Sequence, residues 1–152
     1  MNKREILAFL NANRRVRVAT AEGDTPHGRS SWIHKADENG IVLHTFKNKD
    51  LYKQLCENPK IEIAVDDSPN GIWHGDVKYH DQIAKVTEIR VSGTAEFVKD
   101  KRFEEEILAE CPTLKQRAEQ GYEIAFYRLR KGLAIVWTLD TNLIYPKYYI
   151  EL

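Results

Sequence analysis

Arg29, Thr45, Lys47 and Lys49 are residues whose types and spacing suit one piece of chemistry, the holding of a phosphate. An arginine on a strand presents a rigid fork of donors that matches phosphate oxygens. A threonine ending a neighbouring strand offers a hydroxyl. Two lysines at a helix start add charge, and the free N–H groups of that start favour an anion. Asn48 and Asp50 read as caps of the same helix. The constellation lies between Thr20 and Pro59. It runs Gly23-Asp24-Thr25-Pro26-His27-Gly28-Arg29, then Gly40-Ile41-Val42-Leu43-His44-Thr45, then Lys47-Asn48-Lys49, and Asn58-Pro59 closes the helix. The plainer alternative is a set of solvated surface charges, the default for lysine and arginine.

Other residue types offer less. His34 and His44 fall on adjacent expected strands and could line a pocket, although hydrogen-bonded strand histidines are the simpler reading. His74 and His80 share a polar stretch with Asp76 and Asp81, but their spacing matches no tight metal-ligand motif. Trp32, Trp73 and Trp137 read as core or interface packing, though each could stack on a flat ring. No glycine cluster has dinucleotide or P-loop spacing, and no nucleophile sits in a recognisable elbow. A hydrolase is therefore unsupported. Cys56 and Cys111 lack metal-type spacing and read as two reduced, buried thiols of a cytoplasmic protein.

The elements that must position these residues follow from periodicity. Residues 2–13 carry an apolar stripe of Ile6, Leu7, Phe9 and Leu10, a helix pattern. Val16 and Val18 alternate with arginines, and residues 15–36 are expected to form a hairpin through Glu22-Gly23-Asp24. Asn39-Gly40 is a hairpin turn into a strand over 41–46. A helix over 48–57 and a strand over 61–65 come next, then a long polar connection over 67–82. A long strand spans 83–99, where Gly93 signals a bulge or a close backbone approach. Two helical pieces end near Gly121, and 123–130 and 133–139 are expected to pair as a last hairpin through Arg130-Lys131-Gly132. Antiparallel strands with short helices point to a small closed or nearly closed barrel.

At 152 residues, 42% hydrophobic and 30% charged, the chain reads as one soluble domain, residues 1–152. Lysine plus arginine equals aspartate plus glutamate, 23 each. That balance argues against a general nucleic-acid binder and against attraction to an anionic membrane. The apolar runs are too short to span a bilayer, and Met1-Asn2-Lys3-Arg4-Glu5 has no signal-peptide pattern.

The chain resembles the pyridoxamine 5′-phosphate oxidase-like, FMN-binding split-barrel superfamily. The likeness rests on Ala19-Thr20 with the Gly23 to Arg29 segment, the Gly40 to Thr45 strand, Lys49-Asp50-Leu51-Tyr52-Lys53-Gln54-Leu55, Asn58-Pro59 and Ile61-Glu62-Ile63. Arg90-Val91-Ser92-Gly93-Thr94-Ala95 resembles a later barrel strand. The resemblance implies a mainly β fold, a six-stranded antiparallel split barrel with flanking helices, and a homodimer with FMN at the subunit interface. By position, Arg29 would contact the FMN phosphate, and Ser30, Ser31 and Trp32 would run along the isoalloxazine edge. Thr45, Lys47 and Lys49 would complete the phosphate site, His44 would join the cofactor set, and Trp137 of the second subunit would cover the ring.

Four departures qualify it, one of them the long 67–82 connection, which is atypical and could shape or block the substrate side of the cleft. Ser30 stands where many members have proline, and Leu51 where a lysine is usual. The arginine- and tryptophan-bearing C-terminal segment of true pyridoxamine phosphate oxidases is not recognisable, so the resemblance does not extend to vitamin B6 oxidation. The expected function is an FMN-dependent oxidoreductase passing hydride through flavin N5, with a small-molecule substrate or NAD(P)H as partner. No protein acid or base is identified beyond the residue type of His34 and His44. The alternatives are a non-catalytic flavin carrier or redox sensor, a barrel holding haem or another flat ligand, and a scaffold with an empty cleft.

Overall fold

A computed structural model describes residues 1–68, 86–143 and 147–152. Its elements in chain order are α1 (Lys3–Ala12), β1 (Arg15–Glu22), β2 (Thr25–Trp32), β3 (Lys35–Asp37), β4 (Gly40–Phe46), α2 (Asp50–Glu57) and β5 (Lys60–Asp66). After these come β6 (Glu88–Phe97), α3 (Lys101–Glu110), α4 (Pro112–Glu119), β7 (Ile124–Trp137), a 3-10 turn (Thr141–Leu143) and β8 (Ile150–Glu151). Among the described residues all the strand pairs are antiparallel, in the order β2-β1-β5-β6-β7-β4-β3, and β8 adds to β7. Six strands have seven residues or more, whereas β3 and β8 have three and two. The sheet curls into the expected split barrel.

Alternation puts the core inside. Val16 and Val18 of β1, Ile61, Ile63 and Val65 of β5 and Ile89 and Val91 of β6 are buried together with Leu43, Tyr127 and Leu129. α1 closes one end with Ile6, Leu7 and Leu10, and an Asn2–Glu5 capping box starts it. A second cluster, Val42, Ile107, Leu114 and Phe126, lies where α3 and α4 cover the outer face of β4 and β7. β4 is thus buried on both faces, which is why Ile41-Val42-Leu43 is an unbroken apolar run.

Two expected hairpins differ in the structure. The 15–36 hairpin is confined to β1 and β2, in register from Arg15↔Trp32 to Glu22↔Thr25. The chain then leaves at Ile33–His34, and β3 pairs with β4 instead. Gly40 makes that turn possible, with φ at +120° and the Leu129 carbonyl 2.5 Å from where a Cβ would sit.

The expected 123–130 and 133–139 hairpin is one continuous strand, β7. Arg130-Lys131-Gly132 is a bulge: Ser92 pairs with Leu133 and Thr94 with Arg130, so two β7 residues oppose Gly93. Lys131 takes φ 52° there. A turn and a bulge share this left-handed signature, and the length of β6, ten residues, lets it pair both halves of β7. At Gly93 a Cβ would stand 2.7 Å from Leu129 Cδ2 and 2.9 Å from the Arg130 carbonyl oxygen. Gly93→Ala is expected to cost about 1–3 kcal/mol, because a backbone atom must shift. Urea unfolding checks this, and an unchanged midpoint would mean the strands relax freely.

Other expectations shift in detail. Cys56 and Cys111 are unbridged, but Cys56 is exposed rather than buried. Trp32 is 48% exposed and so is not core. Trp73, His74, Asp76, His80, Asp81 and nearly all of the 67–82 connection lie outside the described residues. Among the described residues no helix is long and apolar enough to cross a membrane.

Candidate functional site

β3 covers β4 only from Gly40 to Val42, with one further bond from the His34 N–H to the Val42 carbonyl. Among the described residues, the outer edge of β4 has no strand partner beyond that point, and β2 is the edge strand at the other end of the sheet. A cleft of about 500 Å³ occupies this split. It is lined by Arg29, Ser30, Ser31 and Trp32 from β2, His44, Thr45 and Phe46 from β4, and Lys49, Asp50 and Leu51 at the start of α2. That is the size and setting of a small-molecule site.

The structure therefore brings together seven of the nine residues expected from sequence: Arg29, Ser30, Ser31, Trp32, His44, Thr45 and Lys49. Lys47 does not line the cleft; its ammonium is drawn to the Glu123 carboxylate at 2.8 Å. Trp137 ends β7, pairs opposite Glu88 and donates its indole N–H to Asn142 at 2.8 Å. It is not among the residues lining the cleft of its own chain. Neither Asn48 nor Asp50 caps α2. Lys49 occupies the N-cap with extended backbone and no side-chain cap; the Tyr52 N–H donates to the Lys49 carbonyl at 3.1 Å, and the N–H groups of Asp50 and Leu51 are left to other acceptors.

Arg29 is anchored without an acid. Its Nη1 donates to Thr20 Oγ1 at 2.9 Å and its Nη2 to Gln54 Oε1 at 2.7 Å. Among the described residues it makes no ion pair. Among the described residues, two of the guanidinium's five donors are committed to protein and no carboxylate pairs with its charge. Within reach of its charge, the Tyr127 hydroxyl is buried near Ser31 without meeting hydrogen-bond geometry. Burial pushes that phenol well above its usual range, so it stays protonated.

His44 and His34 meet ring to ring, Nδ1 to Nε2 at 2.8 Å, and both pack on Phe126. Burial, then the neighbouring His44 and Arg14, pushes His34 down to about 4. Burial lowers His44 as well. Both rings are neutral at pH 7, so one donates and the other accepts. With neutral His44, the charged groups among the described residues lining the cleft are Arg29, Lys49 and Asp50. Those three leave one net positive charge beside an uncapped helix start, which is chemistry for an anion.

Sequence reasoning passed over Thr20, Gln54 and Tyr127 as working parts. Gln54 left a trace: it shares the apolar face of α2 with Leu51 and Leu55, where a buried polar side chain needs a partner.

A split β-barrel with a ligand-sized cleft in its seam defines the class of this protein. The family described as pyridoxamine 5′-phosphate oxidase matches residues 3–126, and the chain belongs to it. A search of curated proteins finds no match. Among solved structures, a NimC/NimA family protein of Clostridium acetobutylicum has a TM-score of 0.69 at 22% identity, over 98% of this chain and 92% of that one. General Stress Protein 26 of Bacillus anthracis has a TM-score of 0.68 at 12% identity, over 99% and 98%. An FAD-binding protein of Mesorhizobium loti has a TM-score of 0.63 at 14% identity, over 88% and 94%. These likenesses carry the fold.

Proposed function

We propose that the protein binds FMN in the β2–β4 cleft and serves as an FMN-dependent oxidoreductase. The observation that carries this is Arg29, a charged donor fork in a ligand-sized cleft whose partners among the described residues are neutral. The cleft residues fit the group. Arg29, Lys49 and the start of α2 would hold the phosphate, Thr45 would add its hydroxyl, and the β2 segment from Ser30 to Trp32 would line the ring edge. Trp32, half exposed at the cleft, offers an indole face for stacking. When bound, the flavin supplies hydride chemistry at N5, while the protein supplies orientation and exclusion of water. His44, neutral and backed by His34, is the titratable ring at the β4 side of the cleft.

The working form in this reading is a homodimer with Trp137 of the second subunit over the ring, and NAD(P)H or a small molecule as redox partner. Unbridged cysteines suit a reducing compartment and support a cytoplasmic location.

The test is a visible spectrum of the purified protein before and after excess FMN and desalting. A retained flavin spectrum near one per chain is the expected result, and a colourless protein overturns the reading. Reduction of the bound flavin by NADH or NADPH, with reoxidation by an added acceptor, is expected of an oxidoreductase. A flavin inert to both would make the protein a carrier.

A further inference from the structure

Arg29 of β2, half-buried, closes a hydrogen-bonded triangle with two buried residues from two other elements. Thr20 of β1 is 5% exposed and Gln54 of α2 is 3% exposed. Gln54 Oε1 accepts from Arg29 Nη2 at 2.7 Å and from the Thr20 hydroxyl at 2.6 Å, and Thr20 Oγ1 accepts from Arg29 Nη1 at 2.9 Å. The amide orientation follows from its partners: Oε1 takes two donors, while Nε2 faces the Glu22 carboxylate at 3.4 Å.

Packing alone does not explain Gln54. It sits on the apolar face of α2 with Leu51 and Leu55, where a methionine or leucine would bury more favourably. Hydrogen bonding to the arginine does not explain the amide either, since a glutamate would bond to a guanidinium more strongly. A glutamate would also cancel the charge. An amide carbonyl holds the fork in place and leaves the charge intact.

We propose that Gln54 is a positioning residue that aims Arg29 without neutralising it, and so makes the cleft select a phosphomonoester over the same ligand without its phosphate. The proposal rests on Arg29 serving a phosphate, as in the function proposed above. α2 unites the parts: its first turn and Lys49 line the cleft, and Gln54, one turn further on, grips Arg29. Helix and arginine therefore present their donors as one body.

The experiment measures affinity for FMN and for riboflavin, each across a salt series, in wild type, Gln54→Glu and Gln54→Met. Thermal midpoints report folding. Gln54→Glu is expected to lose about tenfold or more in FMN affinity with riboflavin affinity unchanged, and to flatten the salt dependence of FMN binding. The new carboxylate would lie beside Glu22, so Gln54→Met is the companion variant. It is expected to lose roughly three- to tenfold for FMN, again sparing riboflavin, while keeping the salt dependence. A purely structural role predicts equal losses for both ligands. Equal losses, or wild-type FMN affinity in both variants, overturn the proposal.

Failure of the FMN reading is separable. If wild type binds no flavin, inorganic phosphate is the probe. A phosphate-dependent rise in midpoint that Gln54→Glu abolishes upholds the Gln54 role and removes FMN alone. No phosphate effect in wild type overturns both.

Discussion

Arg29→Ala is expected to weaken FMN binding by about 1.5–3 kcal/mol, roughly ten- to more than a hundredfold in Kd. The size follows from the setting. An arginine opposite a carboxylate would have its charge partly cancelled before meeting a phosphate, but among the described residues Arg29 bonds to the neutral Thr20 and Gln54, which hold it while its remaining donors face the ligand. The fold should survive, because the Thr20 hydroxyl still satisfies Gln54 Oε1 at 2.6 Å. Lys49→Ala should cost under about 1 kcal/mol, since an exposed ammonium on a flexible stem is screened. Flavin fluorescence titration of both variants checks the ranking. FMN affinity unchanged in Arg29→Ala would take the arginine out of the site.

The histidine pair carries the second large effect, on stability. An unfolded histidine takes up its proton near 6.5, whereas folded His34 resists until about 4. Between those values the unfolded chain binds more protons, so stability rises with pH across the window. The contribution is complete above pH 6.5 and is lost as pH falls toward 4. With His34 only 9% exposed, it amounts to about 2–3 kcal/mol. His44, also shifted down by burial, acts in the same direction.

Glu123, held below its ordinary 4.5 by its hydrogen bond to Lys47, overlaps the lower end of this window, so the comparison with a His34 variant isolates the histidine. Asp37 and Asp66 have folded values below their ordinary 3.8, despite the opposing effect of burial, because hydrogen bonds and nearby cations favour their charged forms. Their contribution is lost only below the histidine window. Urea unfolding at pH 7 and at pH 4.5 measures the effect, and His34→Gln should flatten most of it. Equal stability at the two pH values would show that folded His34 protonates normally. The same slope in the variant would place the dependence elsewhere.

The legibility of this chain varied by the kind of signal. Strand positions and burial followed from alternation, as in Val16 and Val18 or Ile61, Ile63 and Val65, because a period of two has one solution against a core. The Asn39-Gly40 turn and the irregularity at Gly93 were equally plain. Lys131-Gly132 was not, since its local conformation serves a turn and a bulge alike. The likeness to the oxidase family gathered most of the cleft residues, but it treated Lys47 and Lys49 as equivalents. Only Lys49 lines the cleft, because Glu123, distant in sequence, holds Lys47.

What the sequence by itself determined is the architecture and the neighbourhood of the cleft: antiparallel strands, short helices, and an arginine, a threonine and a helix start within one stretch. Periodicity and turn chemistry are local, so they survive being read one residue at a time. The tertiary structure alone decided how those groups are tuned. It set a neutral amide against Arg29, pressed His34 against His44 in a buried layer, and made one bulged strand of an expected hairpin. Each of these depends on which distant side chain arrives at a given point and on how much water remains there, and both are settled only when the sheet closes.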